Sequence, residues 1–337
     1  MASQAGPLEH GGDLSAARRR FPGAPEPFID LSTGINPYPY PLPHLPPALF
    51  ARLPQADALA ELADIAATAY GAPSPACVVA APGTQSLLPL VAAFRPAGQA
   101  AILGPTYAEH ARAAALAGHR VIETRELDRL AAADLAVLVN PNNPDGRLLA
   151  RADLLALAEK LGKRGGIFVV DEAFMDVGPP KASLAADVLC GNIVVLRSFG
   201  KFFGLAGVRL GFAIAAEDIA KRLRAALGPW AVSGPAIAIG AIALADMAWT
   251  ASTQVRLAQA AQRLDELLVG AGVDIVGGTP LFRLAQTPAA AALHETLGGA
   301  GILVRRFAEQ PAWLRFGLPG DEQAWERLAS ALAGHVR

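Results

Sequence analysis

The chain has 337 residues, is 53% hydrophobic and 18% charged, and carries a formal net charge of −1. That is enough apolar material for a substantial core, and it excludes a disordered chain. Charge of both signs is spread along the sequence, so no nucleic-acid or membrane-surface footprint is expected, and the only basic run, Arg18-Arg19-Arg20, reads as a solvated helix end.

The first 45 residues, rich in Pro, Gly and Ala, read as an extended arm ending in the run 36–47, because each Pro biases its predecessor away from helix. No apolar stretch follows the N-terminal charges, so no secretory signal is expected and the protein is assigned to the cytoplasm. The pattern then predicts a helix over 55–70 closed by Gly71, a strand at 77–81, a helix at 84–94, a strand at 100–103, a helix at 107–117 and a strand at 119–122. Three further strands follow at 135–139, 167–170 and 193–196, with a helix at 151–162 between the first two. Strands separated by helices of this length predict an α/β fold, with a mostly parallel sheet sandwiched by helices.

The uncharged stretch 225–245 is long enough to raise the membrane question. Gly228, Pro229, Pro235 and Gly240 interrupt it, so a buried helix is expected instead. Beyond about residue 215 the pattern is mainly helical, with weaker strands near 280–285, 302–305 and 313–317. This divides the chain into an arm (1–35), a large domain (36–248) and a smaller α+β domain (249–337). Cys77 and Cys190 are the only cysteines, and neither has a His or a second Cys at metal-ligand spacing. No metal is expected, and both read as buried free thiols in a reducing compartment.

In open α/β sheets, ligands bind beyond the carboxyl ends of the strands, and the chemistry collects there. Strand 77–81 runs into Gly83-Thr84-Gln85, a turn at a helix start that can aim N–H groups and a hydroxyl at a phosphate. It is equally an ordinary cap. Strand 100–103 leads to Tyr107, either a core tyrosine or a ring-stacking one. Strand 135–139 runs into Asn140-Pro-Asn-Asn143, and 167–170 into Asp171, a costly place for an unpaired charge. Strand 193–196 runs into Ser198 and Lys201, the latter set among Phe199, Phe202, Phe203 and Leu205. Apolar neighbours disfavour an ammonium and free the amine for attack on an aldehyde. Arg209 completes a phosphate cup with Ser198. Together the set suits pyridoxal 5'-phosphate (PLP), with Asp171 opposite a protonated ring nitrogen.

The segment SFGKFFGLAGVRLGF (198–212) resembles the Schiff-base region of fold-type-I PLP enzymes. NPNNPDGR (140–147) and VVDEAF (169–174) resemble that superfamily's other two signatures, in the same order. The resemblance implies a large PLP domain, a small domain built from both termini, and a homodimer with the active site at the subunit interface. It also implies Lys201 as the Schiff-base lysine, Asn143 on the cofactor's 3′ oxygen, and Arg315 in WLRFGLP on a substrate carboxylate.

Within the superfamily, Glu9-His10-Gly11-Gly12-Asp13, the segment DLSTGINP (30–37), Phe174 and the stretch GPWAVS (228–233) resemble the threonine-phosphate decarboxylase family of cobalamin biosynthesis. That family decarboxylates L-threonine O-3-phosphate to (R)-1-amino-2-propanol O-2-phosphate; a histidinol-phosphate-type aminotransferase is the alternative on the same machinery. The resemblance places His10, Asn36 and Arg305 beside Arg315 around the small phosphorylated substrate, with either Arg305 or its neighbour Arg306 facing inward. Departures from relatives are Leu53 in place of a tyrosine, Gly200 in place of a threonine before the lysine, and Phe174 in place of the tyrosine usual in aminotransferases.

Overall fold

The computed structural model describes residues 10–335; Glu9 of the N-terminal motif lies outside them. The strands in chain order are β1 (Ile29–Leu31), β2 (Val78–Ala81), β3 (Gln99–Leu103), β4 (Arg120–Thr124), β5 (Leu135–Val139), β6 (Ile167–Asp171), β7 (Ile193–Ser198), β8 (Gly211–Ala215), β9 (Asp274–Thr279), β10 (Phe282–Gln286), β11 (Ile302–Arg306) and β12 (Trp313–Gly317). They form a seven-stranded sheet in the order β2-β8-β7-β6-β5-β3-β4 and a five-stranded sheet in the order β1-β11-β12-β10-β9.

The seven-stranded sheet belongs to one unit, which comprises Pro39–Asn143 and Arg147–Thr253. Every pairing in it is parallel except those of β8, which runs antiparallel to both β2 and β7. Central strands such as β5 and β8 are buried at every position, as a sheet covered on both faces requires. Val79, Ile102, Val137, Val169, Leu196 and Ala213 from six neighbouring strands pack with Leu88, Val91, Ile219 and Leu223 of the covering helices. The expected α/β architecture is therefore present, with strand and helix bounds shifted by at most two residues. The 84–94 segment is the main exception, splitting into a 3₁₀ turn (Thr84–Ser86) and a helix (Leu87–Ala92).

The other unit runs from the N-terminal described residues to Tyr38, takes in Pro144–Gly146, and resumes at Gln254. Its sheet corrects the expectation of an extended arm. Leu14–Arg20 is a helix whose first turn is capped by Asp13 Oδ1, which accepts from Ala16 N at 2.8 Å. Pro22, Pro25 and Pro27 lie between this helix and β1, which pairs in parallel with β11, while the proline run 36–47 follows β1 and forms neither helix nor strand. The triplet Pro144–Gly146 joins this unit by close backbone approach, since a Cβ on Gly146 would collide with the Gly278 carbonyl and one on Gly277 with the Asp145 carbonyl.

Two smaller expectations also change. Cys77 is buried but Cys190 is exposed, because it ends a surface 3₁₀ turn closed by Gly191 in the left-handed conformation. The apolar stretch 225–245 is broken, its first residues ending the helix Glu217–Leu227 and the rest giving a 12-residue helix, Gly234–Ala245, capped by Ser233 and mostly buried. Among the described residues no single helix is long and apolar enough to cross a membrane.

Candidate active site

Strand order brings the chemistry of the seven-stranded unit onto one rim. Ala81 of β2 pairs with Gly211 of β8, and Gly211 pairs with Ser198 of β7, so these three residues form a row. Because β8 is antiparallel, the residue entering it, Arg209, lies at the same edge as the residues leaving β2 and β7. Gly83 has φ +80°, and a Cβ there would sit 2.6 Å from Arg209 Nη2; a Cβ on Gly211 would sit 2.5 Å from Thr84 N. Thr84, Ser198 and Arg209 thus surround one point, with hydroxyls and a guanidinium in reach of an anion. Arg209 itself holds a left-handed φ of 56°, a conformation costing a non-glycine residue about 1–2 kcal/mol. Such strain at a ligand rim is a common signature of function.

Asp171 ends β6 opposite Val139 and Leu196. Its carboxylate is 6% exposed, accepts from Ala173 N at 3.0 Å through Oδ1, and lies 2.9 Å from His110 Nε2 through Oδ2. An ionised carboxylate only accepts, so the imidazole Nε2–H donates to it. His110 is a functional candidate that sequence reasoning missed: its only signal was a polar residue within the apolar pattern of the 107–117 helix. Tyr107 packs edge-on to His110 with ring centroids 5.9 Å apart, and its phenol donates to Gln85 Oε1 at 3.2 Å. Gln85 in turn donates through Nε2 to buried Glu109 at 2.9 Å. Burial first, then the charges of Glu109 and Asp171, push the Tyr107 phenol up to about 12, keeping it a neutral donor.

Asn143 is half-buried beside a tightly held neighbour. Asn142 accepts from Thr106 Oγ1 at 2.8 Å and donates to the Pro105 carbonyl at 3.0 Å, while Asn140 N donates to the Asp171 carbonyl at 2.8 Å. Lys201 sits on the short helix Phe199–Phe202 with Nζ 5.9 Å from the Phe174 ring centroid. Phe199, Phe202 and Phe203 are buried, the first and last stacked at 4.5 Å. Gly200 now has a physical reason: a Cβ there would lie 2.8 Å from Ala206 Cα, leaving no room for threonine on this backbone.

Behind the rim, buried Arg197 donates to Glu172 Oε2 at 3.2 Å and to Asp176 Oδ1 at 2.6 Å, with its guanidinium 4.3 Å from the Tyr70 ring. Burial works against this charge, but Asp176 and Glu172 outweigh it and raise the arginine's pKa. The network ties the end of β6 to the end of β7, the strands that carry Asp171 and Lys201.

The remaining sequence-predicted residues lie in the unit of the five-stranded sheet. Arg315 of β12 is buried and donates through Nη2 to the Ser32 carbonyl at 2.7 Å. Burial, then the charge of Arg305, bring its pKa down to about 10, with Asp30 opposing. Arg305 pairs directly with Arg315 across β11 and β12. Directly opposed residues share a sheet face, so Arg305 accompanies Arg315 and Arg306 points away. Arg306 instead lies near His294, whose imidazole is pushed down by burial and then by that arginine's charge. Asn36 is buried and accepts from Tyr38 N at 2.8 Å, and His10 is exposed directly ahead of the Gly11-Gly12 turn.

Comparison with known proteins places this arrangement. The family model described as aminotransferase class I and II matches residues 49–332. Threonine-phosphate decarboxylase of Pseudomonas aeruginosa is 46% identical over 97% of this chain and 98% of its own length. Histidinol-phosphate aminotransferase of Aeromonas salmonicida is 32% identical over 72% of this chain and 73% of its own. Among solved structures, histidinol-phosphate aminotransferase from Sinorhizobium meliloti, in complex with pyridoxal-5'-phosphate, superimposes with a TM-score of 0.81 at 20% identity, covering 100% of this chain and 98% of that one. A match of this extent, on this sheet order, makes the chain a member of the class I and II aminotransferase family.

Proposed function

We propose that this chain is a PLP-dependent decarboxylase that converts L-threonine O-3-phosphate to (R)-1-amino-2-propanol O-2-phosphate, a step of cobalamin biosynthesis. The observation that carries the reading is the near full-length match to a threonine-phosphate decarboxylase, against a partial and weaker match to the aminotransferase.

The side chains of the seven-stranded unit fit the cofactor. The space over Gly83 that a Cβ would fill, rimmed by Thr84 and Arg209, suits a phosphate, and a buried carboxylate backed by His110 suits a cationic ring nitrogen. When bound, PLP supplies an electron sink for the bond broken at the substrate Cα. Lys201 holds the cofactor through Nζ and, once its amine is released, carries a proton to or from Cα. Asp171 keeps a negative charge opposite the ring nitrogen. Gly83, Thr84, Gln85, Ser198 and Arg209 would hold the cofactor phosphate, Tyr107 would lie against the ring, and Asn143 would donate to the 3′ oxygen. Arg315 binds the substrate carboxylate, while His10, Asn36 and Arg305 take its phosphate. The paired charges of Arg305 and Arg315 repel, and a doubly anionic substrate relieves that repulsion.

Gly83→Ala tests the phosphate cup. The added Cβ displaces Arg209 Nη2 and strains a positive φ, removing a charge-assisted hydrogen bond of roughly 1.5–3 kcal/mol. Equilibrium dialysis is expected to show PLP held about tenfold or more less tightly; unchanged affinity removes Arg209 from the cup.

The reaction itself is tested with L-threonine O-3-phosphate. Release of CO2 with an amino alcohol phosphate supports the reading. Conversion of PLP to its pyridoxamine form with a keto-acid product instead identifies a transaminase. A homodimer is supported by the apolar cleft of Leu49, Leu53, Ile237 and Ala241 and by the exposed Phe50 nearby in sequence, a face suited to burial against a second copy. The unbridged Cys77 and Cys190 support a cytoplasmic location.

A further inference from the structure

Ser32 is 2% exposed, and its backbone and side-chain polar groups are engaged. Its N–H and its hydroxyl both donate to Asp30 Oδ1, at 2.9 and 2.6 Å. The same hydroxyl accepts from Gly12 N at 2.8 Å, and its carbonyl accepts from Arg315 Nη2 at 2.7 Å. Gly11 lies flat on the same residue: a Cβ there would be 2.5 Å from the Ser32 carbonyl oxygen and 2.9 Å from its Oγ. One oxygen atom therefore touches both the N-terminal turn and the guanidinium of Arg315. On the other side, a Cβ on Gly317 would be 2.5 Å from the Thr33 carbonyl, so the segment carrying Ser32 is pressed against β12 as well.

This explains two glycines at once. Gly11 has no side chain because Ser32 occupies the space, and Gly12 holds φ +90° so that its N–H can turn toward the serine hydroxyl. The turn fixes where His10 leaves the backbone, next to the oxygen that anchors Arg315. Arg315 faces Arg305 directly across two strands, and His10 is the residue immediately before the turn.

We propose that Ser32, held by Asp30, is a positioning residue that docks the His10-Gly11-Gly12 turn beside Arg315 and thereby sets the preference for substrates carrying a phosphate as well as a carboxylate. The proposal rests on the threonine-phosphate reading above. Ser32 touches no substrate atom; it acts through His10. Asp30 aims the hydroxyl, because the carboxylate takes its proton and leaves the oxygen lone pair for Gly12 N.

Ser32→Ala deletes the link to Gly12 while leaving the carbonyl that receives Arg315. For this variant KM for L-threonine O-3-phosphate is expected to rise about tenfold, the loss of one net hydrogen bond, with kcat within about twofold of the parent. The kcat/KM for unphosphorylated L-threonine stays put, so discrimination between the two substrates falls by the same factor. Gly11→Ala, whose added Cβ would meet the Ser32 carbonyl and hydroxyl, is expected to reproduce this loss from the opposite side of the contact and covers the case in which Ser32→Ala does not fold. In a His10→Ala background, adding Ser32→Ala should cost nothing more, since both remove one function.

Additive losses in the double variant, equal losses on both substrates, or unchanged discrimination in both Ser32→Ala and Gly11→Ala overturn the proposal. A parent protein that does not decarboxylate threonine phosphate sinks the underlying reading instead, so the two failures are told apart by the parent alone.

Discussion

Lys201→Ala is expected to lower turnover by at least about 10⁴-fold, since one substitution removes both the covalent anchor and the proton carrier. The surrounding wall should survive. Phe199 and Phe203 stack on each other, and Phe203 stacks on Trp249 at 5.5 Å, none of which involves the lysine amine. Alanine is also a good helix former in the turn Phe199–Phe202. The thermal midpoint is therefore expected to change little while the yellow, borohydride-reducible chromophore disappears. A small primary amine added to the variant should restore part of the rate. A Lys201→Ala protein that turns over at the parental rate ends the assignment of this residue.

Asp171 gives the second large effect, and here charge and packing can be separated. Asp171→Ala removes the acceptor for both Ala173 N and His110 Nε2. Stranding these buried donors costs about 1–3 kcal/mol each, and kcat is expected to fall roughly 10²–10³-fold with the loss of fixed negative charge. Asp171→Asn keeps one oxygen for the Ala173 N–H but carries no charge. Its melting temperature should stay closer to the parent while its kcat falls nearly as far. If the asparagine variant keeps full activity, the carboxylate acts through packing and not through its charge.

Much of this arrangement was legible in the residues because parallel strands buried on both faces must be continuous apolar runs, and the residues that leave each run must sit on one rim. Leu135–Val139 and Ile193–Ser198 announce themselves in this way. Strand β8 did not, because Gly211-Phe-Ala-Ile-Ala directly continues the lysine segment and has no turn signal before it. Strand β1 is three residues inside a proline-rich stretch, and β9 contains Gly277 and Gly278, so neither has the length or side chains that betray a strand. Their identity comes from tertiary pairing, which local pattern does not encode.

The site shows the same division. Lys201 and Asp171 stand at or just beyond the ends of recognisable strands and could be picked by position, whereas Arg209 precedes β8, a strand that was not legible. His110 could not: nothing in its own helix says that it meets a carboxylate at the end of β6. Ser32 was visible only as one letter of a motif, since its importance lies in the four hydrogen bonds that tie it to Gly12, Asp30 and Arg315. Which of Arg305 and Arg306 shares a sheet face with Arg315 likewise depends on register, a property of two strands and not of either one.

The parallel pairing of β1 with β11 has a consequence for biogenesis. Ile29 leaves the ribosome early, yet its partner is Ile302, and at translation speeds of about 5–20 residues per second the wait lasts on the order of tens of seconds. The seven-stranded sheet, by contrast, has all its strands once Ala215 has emerged. The newborn protein therefore assembles its middle first and seals its two ends together last, and until then its leading segment must travel without its eventual neighbour.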